Sequence, residues 1–328
     1  MARAWHLKSR PSGMPTQENF ELREVDLPPL GDGMVRIRNR WLSVDPYMRG
    51  RMNDVKSYVP PFQLGEPLEG GAVGEVVDSK AEGFAAGDLV VHMGGWRDEA
   101  VVSARTVIKL PDLGAEPEKF LGVLGITGAT AYFGLLDAAS AKPGEVVFVS
   151  AAAGAVGSVV VQLAKARGMS VIGSAGGADK VEFVRSLGAD QVIDYKAGSV
   201  LKGLAAAAPD GIDVYFDNVG GDHLDAAFAI ARNNARFAIC GMIASYNDPN
   251  PPSFRFIQRI IAARIRLKGF LVFDYQPRMD EFYREMGQLV ASGAVKSRET
   301  VVEGLEKTPD AFLGLFKGEN VGKMLVRL

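Results

Sequence analysis

Between Val146 and Gly168 the sequence VVFVSAAAGAVGSVVVQLAKARG passes from an apolar, β-rich run through small residues into an amphipathic helix. Val146 to Ser150 predict a buried parallel strand, Ala151 to Gly157 a turn, and Ala155 to Arg167 a helix whose first backbone N–H groups can face an anion. Gly154 lets the backbone approach a pyrophosphate, and Gly157 lets helix and strand pack closely. A G-x-G-x-x-G dinucleotide fingerprint would place a third glycine near position 152, where this chain has Ala152, so the match is partial. The chemistry it points to is the holding of a dinucleotide cofactor.

Which dinucleotide is decided after the second strand, where an NAD site wants an acidic residue for the ribose hydroxyls. Here Ser174, Ala175, Gly176 and Gly177 stand instead. Asp179 follows closely, but Lys180 comes next, at the start of a helix, where an ammonium can reach a 2′-phosphate. A solvated helix lysine is the alternative for Lys180, and with the acid missing NADPH is favoured over NADH.

The same residue counts exclude other chemistry. Cys240 is the one cysteine, so neither a disulfide within the chain nor a Cys₄ zinc lobe is possible, and a reducing cytoplasm is the expected location. His6, His92 and His223 lie far apart without metal-ligand spacing to Cys240, and no zinc is expected. A G-x-S-x-G elbow and a G-x-x-x-x-G-K-[ST] loop are both missing, which removes support for a serine hydrolase and a P-loop nucleotidase.

The turn must be positioned by neighbouring elements, and the sequence supplies them in order. SVIGSA (170–175) predicts a second strand, Asp179 to Leu187 a helix, then QVIDY (191–195), IDVYFDNV (212–219), ARFAIC (235–240) and RLKGFLVF (266–273) further strands. Strands alternating with helices at βαβ spacing predict an α/β fold with a doubly wound parallel Rossmann sheet. Val146 to Ala164 carry no charge, but Ser150, Gly154, Gly157, Ser158 and Gln162 interrupt the run and argue against a membrane span.

At 328 residues and 47% hydrophobic the chain is long enough for two domains. A formal net charge of −2 gives no footprint for nucleic acid or an acidic membrane, and MARAWHLKSRPSG has no apolar segment of a secretory signal behind it. From Glu21 to Leu110 short alternating runs and turn residues predict a compact antiparallel β-barrel-like domain. Its insert RGRMNDVKSYVPPFQLGEPLEGG cannot be regular helix and suits a loop lining a cleft. After a helix from about Pro277 to Ser292, NVGKMLVRL predicts a strand returning to that first domain. The boundaries expected are residues 1–120, 121–295 and 296–328.

These residues carry a family resemblance. The blocks SVDPYMRG (43–50), GEPLEGGAVGEV (65–76), ITGATAYFGLL (126–136), AAAGAVGSVV (151–160), YFDNVGG (215–221), CGMIASYN (240–247), LKGFLV (267–272) and NVGKMLV (320–326) span nearly the whole chain in order. Together they resemble the zinc-free medium-chain dehydrogenases/reductases, in the branch of NADPH-dependent alkenal double-bond, prostaglandin and curcumin reductases. The resemblance implies a GroES-like β-barrel as the catalytic and substrate domain beside the Rossmann domain. It implies that Gly154, Ala155, Val156 and Gly157 hold the pyrophosphate, Lys180 and Tyr195 the 2′-phosphate, and Asn218 the ribose side. Cys240, Gly241, Met242, Ile243, Ser245, Tyr246, Phe270, Leu271, Val272 and Asn320 would flank the cofactor toward its nicotinamide end, with Thr127 also assigned to it. Thr127 and Asn218 serve equally well as turn residues satisfying local backbone.

Reduction of an α,β-unsaturated carbonyl needs hydride at the β-carbon, a donor for the enolate oxygen and a proton for the α-carbon. With metals, thiolates and histidines set aside, tyrosine is the available donor. Tyr58 and Tyr246 are the expected catalytic pair because both motifs border the substrate cleft in the resembling family. Tyr246 would polarise the carbonyl and Tyr58 supply the proton, or the reverse, with packing against substrate as the alternative for each. Tyr58, Phe62, Asn247 and Phe273, together with Met242 and Phe270, suit a pocket for a lipophilic enal or enone, although core packing accounts for the apolar ones equally well. Two alternatives stay open: an NADPH:quinone oxidoreductase of the same superfamily, and a catalytically idle NADPH-binding sensor or scaffold. The strand 266–273 reads as an apolar sheet edge, which by resemblance pairs with a second subunit in a homodimer.

Overall fold

The structure is a computed structural model and describes residues 1–250 and 252–328. Among the described residues the strands are, in chain order, β1 (Ala2–Leu7), β2 (Phe20–Val25), β3 (Met34–Ser43), β4 (Ala72–Ser79), β5 (Leu89–His92), β6 (Glu99–Ser103), β7 (Ile108–Lys109), β8 (Val146–Val149), β9 (Ser170–Ala175), β10 (Gln191–Asp194), β11 (Ile212–Asp217), β12 (Ala231–Ile239), β13 (Arg266–Gly269), β14 (Glu299–Glu303) and β15 (Lys323–Arg327). The chain divides into two compact units, Gly122–Arg298 and Met1–Leu121 with Glu299–Leu328.

In the 122–298 unit six parallel strands run in the order β10-β9-β8-β11-β12-β13. This is the dinucleotide-binding order, and it reverses between β8 and β11, which opens a crevice at the carboxyl ends of those two strands. VVFV of β8 and VYF of β11 are apolar on successive residues because a doubly wound sheet is covered on both faces. Phe148 stacks on Tyr215 at 5.0 Å, and Phe237 and Phe228 complete the ring cluster. The helix after β8 spans Gly157–Ala166, two residues later than expected, and the helix after β9 spans Ala178–Ser186. Tyr195 and Asn218 lie just past the ends of β10 and β11, so both belong to loops rather than strands. β12 starts earlier than expected, at Ala231, its register with β11 shifting near Asn234, which has φ +66°.

The expected strand 266–273 is cut short. β13 ends at Gly269, and a turn of 3₁₀ helix occupies Val272–Arg278. Phe270 leaves the sheet to pack edge-on against Phe216 at 6.2 Å, and buried Tyr275 stacks on Phe133 at 4.5 Å. A Cβ on Gly134 would stand 2.5 Å from the Phe270 ring, so the missing side chain there makes room for this departure.

The other unit holds a hairpin of β1 and β2 and a seven-stranded sheet in the order β14-β15-β3-β4-β5-β7, with β6 also on β3. The strand pairings among β1 to β7 are all antiparallel, as expected for that stretch, and the returning β15 is antiparallel to β3 and parallel to β14. β3 shifts register against β4 near Arg36 and Asn39, and its first half pairs β6 while its last residues pair β15. Such bulges bend a strand and let one edge serve two neighbours, which gives the barrel-like curvature. Lys323 of β15 is buried and donates to the Val44 carbonyl at 3.0 Å and to Asp45 Oδ1 at 2.7 Å, tying the returning strand to the SVDPYMRG turn. Among the described residues no helix is long and apolar enough to cross a membrane.

Candidate functional site

The turn after β8 is built on backbone. Ala152 N–H donates to the Ser174 carbonyl, Gly154 N–H to the Ala151 carbonyl, and Ser158 N–H is the first to enter the helical ladder, on the Gly154 carbonyl. A helix N-terminus leaves its first-turn N–H groups without intrahelical acceptors, so Ala155, Val156 and Gly157 present the donors that suit an anion. Ala151 sits at φ +48°, a left-handed conformation that costs an alanine energy and aims its carbonyl back across the turn. Gly157 is required by that carbonyl, since a Cβ there would run into Ala151 backbone. At position 152, where the fingerprint calls for glycine, the alanine is accommodated because its neighbour on β9 is Gly173, whose own Cβ would lie 2.9 Å from that of Ala152.

The loops beside this turn are bound into one unit. Asp217 Oδ1 accepts from Ser150 Oγ at 3.2 Å, Tyr215 Oη at 2.6 Å, Val219 N at 2.9 Å and Gly220 N at 2.8 Å. Its backbone carbonyl accepts from Cys240 and Gly241 N–H. Asn218 Nδ2 donates to the Ser150 carbonyl at 2.8 Å, which makes this side chain a brace between loops. Thr127 Oγ1 donates to the Gly122 carbonyl at 2.9 Å and likewise satisfies local backbone. Burial pushes the Cys240 thiol up to about 12, with Asp217 adding to the effect, so this sulfur is an inert small side chain.

At the ends of β9 and β10 the cations gather. Lys180 stands close enough to Lys196 that burial and then this neighbour lower its pKa. A Cβ on Gly176 would meet Tyr195 Oη at 2.7 Å and Lys196 Cε at 3.1 Å, so the phenol and the second lysine lie directly over the glycine backbone. Asp194 holds this loop by accepting from Gly177 and Lys196 N–H, and those donors keep its carboxyl below the usual range. The Tyr195 ring meets His223 edge-on at 5.4 Å, and burial holds that imidazole neutral, with its pKa at about 4. Two positive groups and a phenol around bare backbone have the chemistry that suits a dianion. Lys196 was missed by the sequence reading, which stopped at Tyr195.

Further along, Ile243–Ser245 form a 3₁₀ turn, and Ser245 Oγ donates to the Met242 carbonyl. The Tyr246 hydroxyl accepts from Met242 N–H at 3.3 Å, and a Cβ on Gly241 would lie 3.1 Å from it. Phe270, Leu271 and Val272 are half-buried and Phe273 is exposed.

Three predicted residues fall in the other unit. Asn320 Nδ2 donates to the Gly322 carbonyl at 2.8 Å. Phe62 is buried in that unit's core beneath the Arg51 guanidinium, 4.0 Å from its ring centroid, so core packing accounts for it. Tyr58 is exposed on the irregular segment that follows the helix Met48–Arg51. Tyr47, which the sequence reading passed over, lies within electrostatic reach of Tyr58, Asp45, Arg51 and Glu69, and burial raises its pKa.

Residues 3–110 match a family model described as the N-terminal domain of oxidoreductase, and residues 155–292 one described as zinc-binding dehydrogenase. The chain is 43% identical to NADPH-dependent curcumin reductase of Escherichia coli (strain K12), covering 99% of this chain and 96% of the relative. It is 41% identical to prostaglandin reductase 1 of Mus musculus, covering 99% of each. A crystal structure of Vibrio vulnificus CurA in complex with NADPH matches with a TM-score of 0.94 at 42% identity, covering 99% of this chain and 98% of that one. The fold and the dinucleotide turn define a medium-chain dehydrogenase/reductase. Within that superfamily the chain belongs to the family of the curcumin and prostaglandin reductases.

The zinc named in one family description does not fit the donor set here. Among the described residues no three His, Cys, Asp or Glu side chains converge. His92 is spent on Asn39 at 2.8 Å, and burial lowers its pKa to about 3, while the single thiol is inert.

Gly157→Ala is expected to destabilise the 122–298 unit by about 1–3 kcal/mol, the cost of an overpacked site. Because the turn suits the pyrophosphate common to both nucleotides, NADPH and NADH affinity should fall together, as read by fluorescence titration.

Proposed function

We propose that this protein reduces the carbon–carbon double bond of α,β-unsaturated aldehydes or ketones, with NADPH as reductant. The observation that supports the reading is the Tyr246 hydroxyl, held by Met242 N–H at 3.3 Å on a loop that the Asp217 carbonyl fixes beside the dinucleotide turn. The turn donors of Ala155–Gly157 suit the pyrophosphate, and the group at Lys180, Tyr195 and Lys196 suits the 2′-phosphate.

When bound, the nicotinamide supplies hydride to the β-carbon. Tyr246 donates a hydrogen bond to the carbonyl oxygen and stabilises the enolate as negative charge develops there. Tyr58 delivers the proton to the α-carbon, directly or through one water. Exposed Phe273 and half-buried Met242 offer apolar surface to a lipophilic substrate, and Asn247, which follows Tyr246 in the chain, is assigned to the same pocket by the family resemblance. The single thiol, with no second cysteine to pair with, fits a reducing cytoplasm.

We further propose a homodimer through β13. This strand ends the parallel sheet with all four residues exposed, and Leu267, Ile257 and Ile261 add apolar surface nearby, at 40%, 40% and 81% exposure. An uncovered edge of this kind invites strand pairing with a second copy about a two-fold axis. Light scattering at micromolar concentration should give twice the chain mass; a monomer removes the proposal.

Cofactor choice is tested at the lysine. Lys180→Ala should weaken NADPH binding by about 1.5–3 kcal/mol, the scale of a charge-assisted hydrogen bond, and leave NADH nearly unchanged. Equal losses for both nucleotides would contradict the assignment.

The reaction itself is tested by following NADPH absorbance with a small enal, a linear enone and a simple quinone, with NADH as control. Enal and enone are expected to turn over, and Tyr246→Phe to lower kcat/KM for the enone by about 10² or more with NADPH affinity little changed. Turnover of the quinone alone would favour the quinone reductase, and no turnover at all an idle binding protein.

A further inference from the structure

We propose that Arg51 is a positioning residue that sets where the Tyr58 hydroxyl stands, an inference that rests on reading Tyr58 as the proton donor. The segment carrying Tyr58 forms no strand or helix, and Pro60 and Pro61 supply no N–H with which it could hold itself. Arg51, at the end of the helix Met48–Arg51, grips it from three directions. Its Nε donates to the Pro60 carbonyl at 2.9 Å, its backbone carbonyl accepts from Phe62 N–H at 2.7 Å, and its guanidinium lies 4.0 Å over the buried Phe62 ring. Nη2 pairs with Glu69 at 2.8 Å, which fixes the plane of the fork.

This is an unusual use of a charge. The Arg51 side chain is 9% exposed, and a guanidinium taken that far out of water is costly unless every direction it faces is satisfied. Here a carbonyl, a carboxylate and an aromatic face satisfy it, and two of the three partners bracket the loop two to four residues after Tyr58. Tyr47 senses Arg51 and Tyr58 together, which places the cation and both phenols in one neighbourhood. The bonds at Pro60 and Phe62 leave Ser57 and Tyr58 exposed yet anchored immediately downstream.

The test is a double-variant cycle on the full-length protein with a reference enone. Arg51→Lys keeps the charge beside Glu69 but loses the planar fork that reaches Pro60. Its kcat is expected to fall about ten- to a hundredfold, the scale of a displaced catalytic group, with KM and the NADPH dissociation constant within about twofold of the parent. The solvent deuterium isotope effect on kcat should rise as proton delivery becomes limiting. In the Tyr58→Phe background the Arg51→Lys loss should vanish, because residues that act as a unit are not additive. Phe62→Leu removes the ring beneath the guanidinium, is expected to move kcat the same way, and carries the same cycle if Arg51→Lys does not fold. A silent Tyr58→Phe overturns the role of Tyr58 and this inference with it. A normal Tyr58→Phe loss with Arg51→Lys silent, or with the two losses multiplying, overturns the placement of Arg51 alone.

Discussion

Asp217 accepts four hydrogen bonds through one carboxylate oxygen at the point where three loops leave the parallel sheet. The side chain is fully buried, its other oxygen has no partner among the described residues, and burial pushes its pKa up against the pull of the donors. A buried carboxylate is tolerable only where donors replace water. The donors here come from Ser150 after β8, from Tyr215 on β11 and from the 219–220 turn, while the carbonyl of the same residue holds Cys240 and Gly241. The loops after β8, β11 and β12 meet at this one junction, whereas Asp194 holds the loop that carries Tyr195 and Lys196. The Asn218 brace to the Ser150 carbonyl adds a second tie between the loops after β8 and β11.

The other unit is organised by cations instead. Lys323 joins β15 to Asp45, Ser43 donates to the same carboxylate, and a few residues on Arg51 holds the Tyr58 segment. Long, charged side chains here do what backbone ladders do in the sheet: they fix irregular chain. The SVDPYMRG turn is thus tied at its start to Lys323, and Arg51 follows it directly in the chain.

The dinucleotide turn and the parallel sheet were legible because each rests on short-range pattern. Period, glycine position and βαβ spacing all lie within a few residues of one another. The preference for NADPH was legible in the same way, from a missing acid and a nearby lysine. What escaped were features made by absent atoms or distant partners. Lys196 reads as a solvated loop residue, and only the bare backbone of Gly176 shows that it lies beside Tyr195 over a common floor. Asp217 reads as a residue at the end of a strand, and nothing local announces that Ser150, 67 positions away, donates to it. Phe270 to Phe273 continue an apolar run, yet they leave the sheet because Gly134 opens a slot for a ring. Phe62 was grouped with substrate-facing aromatics by type, whereas a cation above it shows what the ring is for.

The sheet that begins with β3 takes two of its strands, β14 and β15, from beyond the whole nucleotide unit. During synthesis, β1 to β7 therefore emerge from the ribosome with β3 still missing a neighbour and Asp45 still lacking its lysine. The six strands of the nucleotide sheet, contiguous in the chain, can all pair before that vacancy is filled. The unit made first is the one finished last, and in the interval it waits as an open edge beside a completed nucleotide fold.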